Sequence, residues 1–473
     1  MASANREVRE ADGSRWTYHL SYLTSGLLLF ETATGLAIYL LPFSLTTQFS
    51  VLVHTVVGLP FLIPLVWYLV RHWLDYRTYA MNHYKATGYV ALVAVLFCAV
   101  SGLVLTVQAV FGTRISYFWD SVHVVSTFGI IAFTAPHVLL LVVRERRGRR
   151  SPEIRRAVAR FGRGTLLTAG AGFLLVALAA LLYKPAELNN RFPADYSFKF
   201  GEDRPFAPSL ARTDSGGAYD ARTLSGSFSC GTSRCHESIA AEWSVSAHRW
   251  SSMDAAFQTV QEVMAKQNGP ESTRYCGGCH DPISFFSGTK NIFADNLTNL
   301  TGYQEGVSCL VCHAVHTTDL KGNANYVLGQ VPRYAFELDD GPVAKFVSDF
   351  LIRAYPAYHV GSLSKGLFKT PEYCAACHKQ FIDAEVNNVG WVQLQNQYDN
   401  WRKSRWNHPG DANRTIECRE CHMPLVDSTD PASGDGRDYN RSTNDGKHRS
   451  HRFLAANQFM PGLLKLKGAE EQV

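Results

Sequence analysis

The stretch RYCGGCHDP, residues 274–282, places two cysteines and a histidine within five consecutive positions. The spacing C-x-x-C-H is the attachment signature of c-type haem, in which two thiols bond covalently to the porphyrin and the next histidine ligates the iron. The chain carries four such motifs and one stretched C-x4-C-H motif, which together use ten of its eleven cysteines. The C-terminal part is therefore predicted to bind five covalent c-type haems.

Each motif supplies two thiols and one proximal imidazole. The predicted attachment cysteines are Cys230, Cys235, Cys276, Cys279, Cys309, Cys312, Cys374, Cys377, Cys418 and Cys421. The predicted proximal iron ligands are His236, His280, His313, His378 and His422. For the stretched first motif, a disulfide between its two cysteines is the alternative.

Six more histidines follow in the same half and are candidates for the distal ligands. They are His248, His316, His359, His408, His448 and His451. Six candidates for five irons predict that most haems have two histidine ligands, and the sequence leaves open which of His448 and His451 is used. An iron with two fixed imidazoles has no open position for a substrate and is suited to passing electrons.

The first 183 residues contain five long apolar runs. A helix needs roughly 20 apolar residues to cross a hydrocarbon core, and the runs cover approximately residues 20–41, 51–70, 87–108, 122–143 and 166–183. The net charge of +5 is modest and no basic face alternates with aromatic residues, so nucleic-acid binding is not predicted. The expected fold is mainly α: a transmembrane bundle of four helices plus a fifth, then an exported haem-packed domain with little strand.

Basic residues predict the orientation of the bundle. The connection between the fourth and fifth runs, residues 144–163, holds nine arginines, and short basic loops favour the cytoplasmic side. Residues 1–17 are polar and charged, so no cleavable signal peptide is expected. The prediction is a protein of the bacterial inner membrane with five transmembrane helices, a cytoplasmic N-terminus and a periplasmic C-terminal domain.

Histidines in the apolar runs predict two non-covalent b-type haems, because a histidine in a membrane helix is costly and usually functional. His123 and His137 are 14 residues apart, about 21 Å along one helix and close to a common face, so this helix can ligate two haems. His54 lies level with His123. Either His19 or His72 has the right depth to pair with His137.

Two other polar residues lie within these runs. Glu31 is predicted to contribute to a proton path or a quinone contact, or to be a protonated side chain bonded to a neighbouring helix. Cys98, the cysteine outside the motifs, is predicted to be a small core residue.

The arrangement of His19, His54, His123 and His137 resembles the dihaem cytochrome b subunits of formate dehydrogenases and nickel–iron hydrogenases, over about residues 15–145. The resemblance implies that His19 and His137 hold the inner haem, and that His54 and His123 hold the outer one.

The C-terminal half resembles the multihaem family that contains hydroxylamine oxidoreductase and the tetrahaem electron-transfer cytochrome of nitrifiers, over residues 225–460. The segments that carry this resemblance are CGGCHDP, CLVCHAVH, SKGLFKTPEYCAACH and IECRECHMP. No attachment site ends in lysine, unlike the catalytic site of pentahaem nitrite reductases, and a membrane domain is fused in front. Both departures favour an electron carrier over a catalytic nitrogen-cycle enzyme.

These observations predict four regions: a dihaem transmembrane bundle over 1–150, a basic loop and fifth helix over 151–183, a periplasmic linker over 184–229, and a pentahaem domain over 230–473. The predicted function is oxidation of a quinol in the lipid and transfer of its electrons through two b haems and five c haems to a periplasmic acceptor. Fusions of a dihaem b unit with a multihaem c domain occur in metal-respiring bacteria, and this chain resembles a shorter relative of them. The alternatives are a terminal reductase of a small nitrogen or sulfur oxyanion at an open c haem, and a haem-bearing subunit of a larger respiratory complex.

Overall fold

The computed structural model describes residues 19–147, 152–293, 296–382, 384, 390–433, 446–455 and 459–468. All 17 histidines and all 11 cysteines of the chain lie within these ranges. The polar N-terminal stretch and part of the arginine-rich connection, on which the predicted orientation partly depends, lie outside them. The described chain is mainly helical with little strand, so the predicted fold class is confirmed.

Five long helices form the N-terminal part. They are α1 (His19–Leu40), α2 (Leu45–Tyr76), α3 (His83–Phe111), α4 (Tyr117–Arg147) and α5 (Pro152–Leu182). Among the described residues, these five are long and apolar enough to cross a membrane. Ser44 and Thr47 form a capping box at the start of α2, and Asn82 caps α3 by accepting a hydrogen bond from the Lys85 amide.

The remaining helices are short. They are α6 (Ser227–Cys230), α7 (Glu237–Ser244), α8 (Ala247–Trp250), α9 (Ala255–Asn268), α10 (Arg274–His280), α11 (Pro282–Ser287), α12 (Thr301–Glu305), α13 (Cys309–His313), α14 (Pro342–Ala354), α15 (Pro356–Leu363), α16 (Pro371–Ala375), α17 (Gln397–Arg402), α18 (Cys418–His422) and α19 (Met460–Leu463). Short 3-10 turns cover Ala221–Thr223, Pro270–Thr273, Leu297–Asn299 and Gly366–Lys369.

Seven short strands form three small sheets in the described chain. They are β1 (Arg212–Thr213), β2 (Val315–Thr318), β3 (Tyr326–Leu328), β4 (Lys379–Ile382), β5 (Val392–Asn396), β6 (Leu425–Asp427) and β7 (Lys447–Arg449). The first sheet has the order β1-β3-β2, with β1 parallel and β2 antiparallel to β3. The other two sheets are antiparallel pairs, β4-β5 and β6-β7.

The chain divides into two compact units. The first unit comprises residues 1–186 and 334–356, and the second comprises 187–333 and 357–473. The segment 334–356, which the sequence analysis placed in the C-terminal domain, therefore groups with the long helices. Residues 187–229, expected to be a linker, contribute Phe206, Tyr219 and Leu224 to the core of the second unit, each at most 3% exposed.

Side-chain hydrogen bonds attach the segment 334–356 to the helices of the first unit. The buried Gln48 accepts a hydrogen bond of 2.7 Å from the Ala335 amide. Arg353 donates to the carbonyls of Ala109 and Val110 near the end of α3, at 2.9 and 3.3 Å. The segment thus covers backbone carbonyls that the end of a helix leaves unpaired.

Glycines allow close packing of α1 against α5. A Cβ atom at Gly172 would lie 2.5 Å from the ring of Phe30, and one at Gly26 would lie 2.5 Å from Thr168 Cβ. Membrane helices associate by such close contacts of small residues, because lipid gives them little hydrophobic driving force. Gly170, in the same helix, has nothing within 4 Å of its Cβ direction.

Gly172→Val should destabilise the bundle by about 1–3 kcal/mol, because the new side chain must displace Phe30. Gly170→Val, at a site with open space, should stay within about 0.5 kcal/mol of the wild type. Unfolding of both variants by dodecyl sulfate in mixed micelles gives the comparison, and equal destabilisation of the two would contradict the packing described for α1 and α5.

Candidate functional site: paired histidines

The attachment motifs lie on short helices of the second unit. The third and fifth motifs each form one helix, α13 and α18, and the second ends α10 at His280. The stretched first motif ends α6 at Cys230 and closes with a hydrogen bond of 2.9 Å from the His236 amide to the Cys230 carbonyl. Ser233 and Arg234 adopt positive φ angles of 56° and 60° in this loop. Its two extra residues are thus accommodated in a tight turn.

All eleven cysteines are free thiols in the structure, Cys230 and Cys235 included. Thiols of different motifs approach one another. Cys230 and Cys309 are within hydrogen-bonding reach, as are Cys279 with Cys377 and Cys374 with Cys418. These contacts connect the first motif to the third, and the fourth motif to both the second and the fifth.

A tyrosine completes this series of contacts. Tyr373 Oη lies 2.7 Å from Cys312 Sγ, and Tyr373 immediately precedes the fourth motif. The third and fourth motifs are therefore also adjacent. The five motifs form one connected cluster in which the fourth is the branch point.

Three pairs of histidine rings face each other in the second unit. The ring centroids are 6.2 Å apart for His236 and His359, 6.3 Å for His248 and His378, and 6.4 Å for His313 and His451. Each pair joins one proximal candidate to one distal candidate. The members of each pair come from elements far apart in sequence.

The separation of these rings fits an iron between them. A metal–imidazole bond is about 2.0 Å and the ligating nitrogen lies about 1 Å from the ring centre, so two imidazoles on opposite sides of one iron have centroids roughly 6 Å apart. Aromatic rings in direct contact have centroids about 4.5–7 Å apart, and the three pairs lie in the upper part of that range, where an iron can be held between the rings. The three pairs therefore have the spacing of axial haem ligands.

The other two proximal candidates have no histidine partner among the described residues, which include every histidine of the chain. The His280 ring stacks on Phe257 with centroids 4.2 Å apart, and its Nδ1 lies 3.1 Å from the Ser251 carbonyl. The exposed His422 has its Nδ1 2.8 Å from the Leu454 carbonyl.

The three remaining distal candidates lie elsewhere. His448 is 3% exposed and its Nε2 contacts Glu242 at 3.1 Å. His316 lies at the surface, 3.9 Å from Asp214. The backbone of His408 exchanges hydrogen bonds with the Thr415 side chain. The sequence left the choice between His448 and His451 open, and the structure places His451 next to a proximal histidine.

The long helices of the first unit hold two further pairs. The rings of His54 and His123 have centroids 6.2 Å apart, and those of His72 and His137 are 6.4 Å apart. His19, which the resemblance to dihaem cytochromes paired with His137, instead contacts the hydroxyl of Tyr22. His72 follows His54 by 18 residues, which is five full helical turns, so α2 presents both on one face.

Glycines face three of these four rings. A Cβ atom added at Gly102 would lie 3.0 Å from His123, one at Gly88 would lie 3.3 Å from His137, and one at Gly35 would lie 3.6 Å from His54. Larger residues would occupy the space beside the imidazoles that a porphyrin needs. The residues of both pairs therefore fit a haem. No motif in the sequence marks these glycines, so their position beside the rings was not predicted.

Hydrogen bonds at Nδ1 orient the ligand rings. His54 Nδ1 lies 2.8 Å from Glu31 Oε2 and 3.0 Å from Thr34 Oγ1. His123 Nδ1 lies 3.0 Å from the Cys98 carbonyl. Such contacts fix the protonated nitrogen and leave Nε2 free to bind a metal.

Residues 229–314 match the family model described as cytochrome c554 and c-prime. The matched segment contains the first three attachment motifs, and the match supports a multihaem cytochrome c domain. This likeness supports haem as a cofactor and a haem-based role in electron transfer. No curated protein and no solved structure matches the chain.

His359→Ala should convert one c-type haem to a high-spin state, because its iron would keep only the proximal imidazole. The matched control is His408→Ala, which removes a distal candidate that lies beside no other histidine ring. Electron paramagnetic resonance of the oxidised proteins measures both. A high-spin signal that grows in the control but not in His359→Ala would contradict the assignment.

His72→Ala should remove one non-covalent haem, whereas His19→Ala should retain both. The expectation follows from the position of His72 beside His137. Pyridine haemochrome spectra of the acid-acetone extracts give the haem content of each variant. Loss of haem from His19→Ala alone would instead support the pairing that the family resemblance implies.

Proposed function

We propose that this chain is a membrane-bound electron-transfer protein that oxidises a quinol and passes its electrons through two b-type and five c-type haems to a periplasmic acceptor. The observation that carries the proposal is the set of five histidine pairs with ring centroids 6.2–6.4 Å apart. Two pairs lie among helices suited to a membrane and three among the cysteine motifs.

The residues of the first unit would hold the two b-type haems, with His54 and His123 at one level and His72 and His137 at the other. Haem supplies one-electron transfer when it is bound. Paired histidines would keep water from binding the iron. The two levels are roughly 20 Å apart along the helices, so the pairs would carry electrons across most of the hydrocarbon layer.

A quinol is the proposed donor because it is a hydrophobic electron carrier that reaches side chains within the lipid. The inner end of the bundle, near His72, Asp75, His83 and Lys85, is the proposed region of contact. Lys85 donates hydrogen bonds of 2.8 and 2.6 Å to the carbonyls of Arg77 and Tyr79. In this proposal it shapes the loop that borders the quinol.

The arginine-rich connection between α4 and α5 supports a cytoplasmic position for that end of the bundle. The C-terminal unit would then be periplasmic, the side on which covalent haem attachment is completed. The acceptor would be a periplasmic redox protein or a partner in a larger respiratory complex.

A second candidate function is reduction of a small nitrogen or sulfur oxyanion at a c-type haem. It is favoured by His280 and His422, which lie beside no other histidine ring in the described chain. Binding of carbon monoxide or nitrite to the reduced protein, followed by turnover of the oxyanion, would support this function over a simple conduit.

Redox titration of the purified protein should show seven haems, two of them extractable by acid acetone, and a reduced quinol analogue should reduce the c-type haems. The expected stoichiometry follows from five attachment motifs and two membrane histidine pairs. A variant with both His54 and His72 replaced by alanine is the control, since it should keep five c-type haems that the quinol analogue no longer reduces. Reduction at the wild-type rate in this variant would reject the proposed route.

A further inference from the structure

Two of the ligand histidines differ from the others in the group that accepts their Nδ1 hydrogen. The Nδ1 atoms of His54 and His236 each lie 2.8 Å from a carboxylate oxygen, of Glu31 and Asp430 respectively. Five other ligand candidates have Nδ1 within 2.7–3.1 Å of a backbone carbonyl; they are His123, His280, His313, His422 and His451. The two carboxylates therefore distinguish one histidine in each unit.

Asp430 is buried, Glu31 is largely buried, and both carboxylates are incompletely paired. The side chain of Glu31 is 11% exposed and that of Asp430 is 1% exposed. In each, the second oxygen is buried and has no hydrogen-bond partner among the described residues. A buried carboxylate with an unpaired oxygen is expensive unless a positive charge lies close to it.

Among the described residues, neutral polar groups lie beside each histidine–carboxylate pair. Thr34 Oγ1 lies 3.0 Å from His54 Nδ1, and Gly58 leaves the space beside Glu31 open, since a Cβ there would lie 3.5 Å from Oε2. The Ala432 amide donates a hydrogen bond of 2.9 Å to Asp430 Oδ1. An oxidised iron on the far side of each imidazole would supply the missing positive charge.

We infer that Glu31 and Asp430 are positioning residues that lower the reduction potentials of the outer b-type haem and the first c-type haem. The inference rests on the proposed function, which assigns His54 and His236 to those two irons. A carboxylate that accepts the Nδ1 hydrogen makes the imidazole a stronger donor and stabilises the more positive, oxidised iron. A carbonyl acceptor has the same geometry but no net charge, and charge-assisted hydrogen bonds are about twice as strong as neutral ones.

This assignment would make the two haems the low-potential members of the chain, one in each unit. Each of these two haems would be easier to oxidise than a haem whose histidine bonds to a backbone carbonyl. Mutation of a group that hydrogen-bonds a metal ligand typically changes metal affinity or activity by 10–100-fold. We therefore expect removal of either charge to shift the one-electron equilibrium of its haem at least tenfold, about 59 mV in midpoint potential.

Glu31→Gln tests the first site, because it removes the charge and keeps the size of the side chain. Potentiometric titration of the full-length protein in detergent, followed at the b-type absorption band, should show the lower of the two b-type midpoints raised by at least about 59 mV, which is a tenfold change in the one-electron equilibrium constant. Ser101→Ala is the matched control, since Ser101 Oγ lies 3.2 Å from Nδ1 of the opposite ligand, His123, and is uncharged. This control should change the one-electron equilibrium constant of the b-type haem less than threefold.

Asp430→Asn tests the second site, where covalent attachment keeps the haem in the protein. Potentiometry followed by electron paramagnetic resonance should show the midpoint of one of the five c-type haems raised by at least about 59 mV, a tenfold change in its one-electron equilibrium constant. The control is Asp220→Asn, which removes a buried carboxylate bonded to Arg222 and to no ligand histidine of the described chain. This control should change the one-electron equilibrium constant of each c-type haem less than threefold.

The outcomes separate the inference from the proposed function. If the wild-type protein contains no extractable haem, the b-type part of the proposed function fails, and Asp430→Asn still decides the inference at a c-type haem. The inference is wrong if Glu31→Gln retains both b-type haems and neither variant changes the one-electron equilibrium constant of any haem by threefold or more. If Glu31→Gln loses its haem, the Asp430→Asn result alone decides.

Discussion

The spacing between paired imidazoles is the constraint on which the arrangement of this chain depends. Five pairs hold their ring centroids within the narrow range of 6.2–6.4 Å. This separation matches one iron held between two imidazoles. Every pair joins separate elements. The helices and loops must therefore be positioned accurately enough to keep the distance between the two rings constant.

The two units meet this constraint by different physical means. In the first, long helices with small residues at their contacts fix the depth of each histidine, and glycines at positions 35, 88 and 102 keep the space beside the rings open. In the second, short helices and small sheets carry the ligands, and a core of aromatic and aliphatic side chains packs around the motifs. The cysteines of neighbouring motifs lie close together, so haems attached to them would be near enough for electron transfer.

Local patterns predicted the features that depend on local sequence. Apolar runs predicted the five long helices, and cysteine spacing predicted a multihaem domain, which the family match supports. The pairing of His236 with His359 could not be predicted, because it depends on how distant segments pack. The spacing of 18 residues between His54 and His72 left His72 open as a partner of His137 beside His19, and the structure places the His72 ring next to His137. The contact between Asp430 and His236 had no signal in the sequence.

The most direct test of the paired histidines is the number of irons that carry two imidazole ligands in the wild-type protein. Near-infrared magnetic circular dichroism of the oxidised, full-length protein distinguishes such irons from those with other axial ligands. The arrangement described here predicts five irons of this kind, two b-type and three c-type. Fewer than five, or none among the extractable haems, would contradict it.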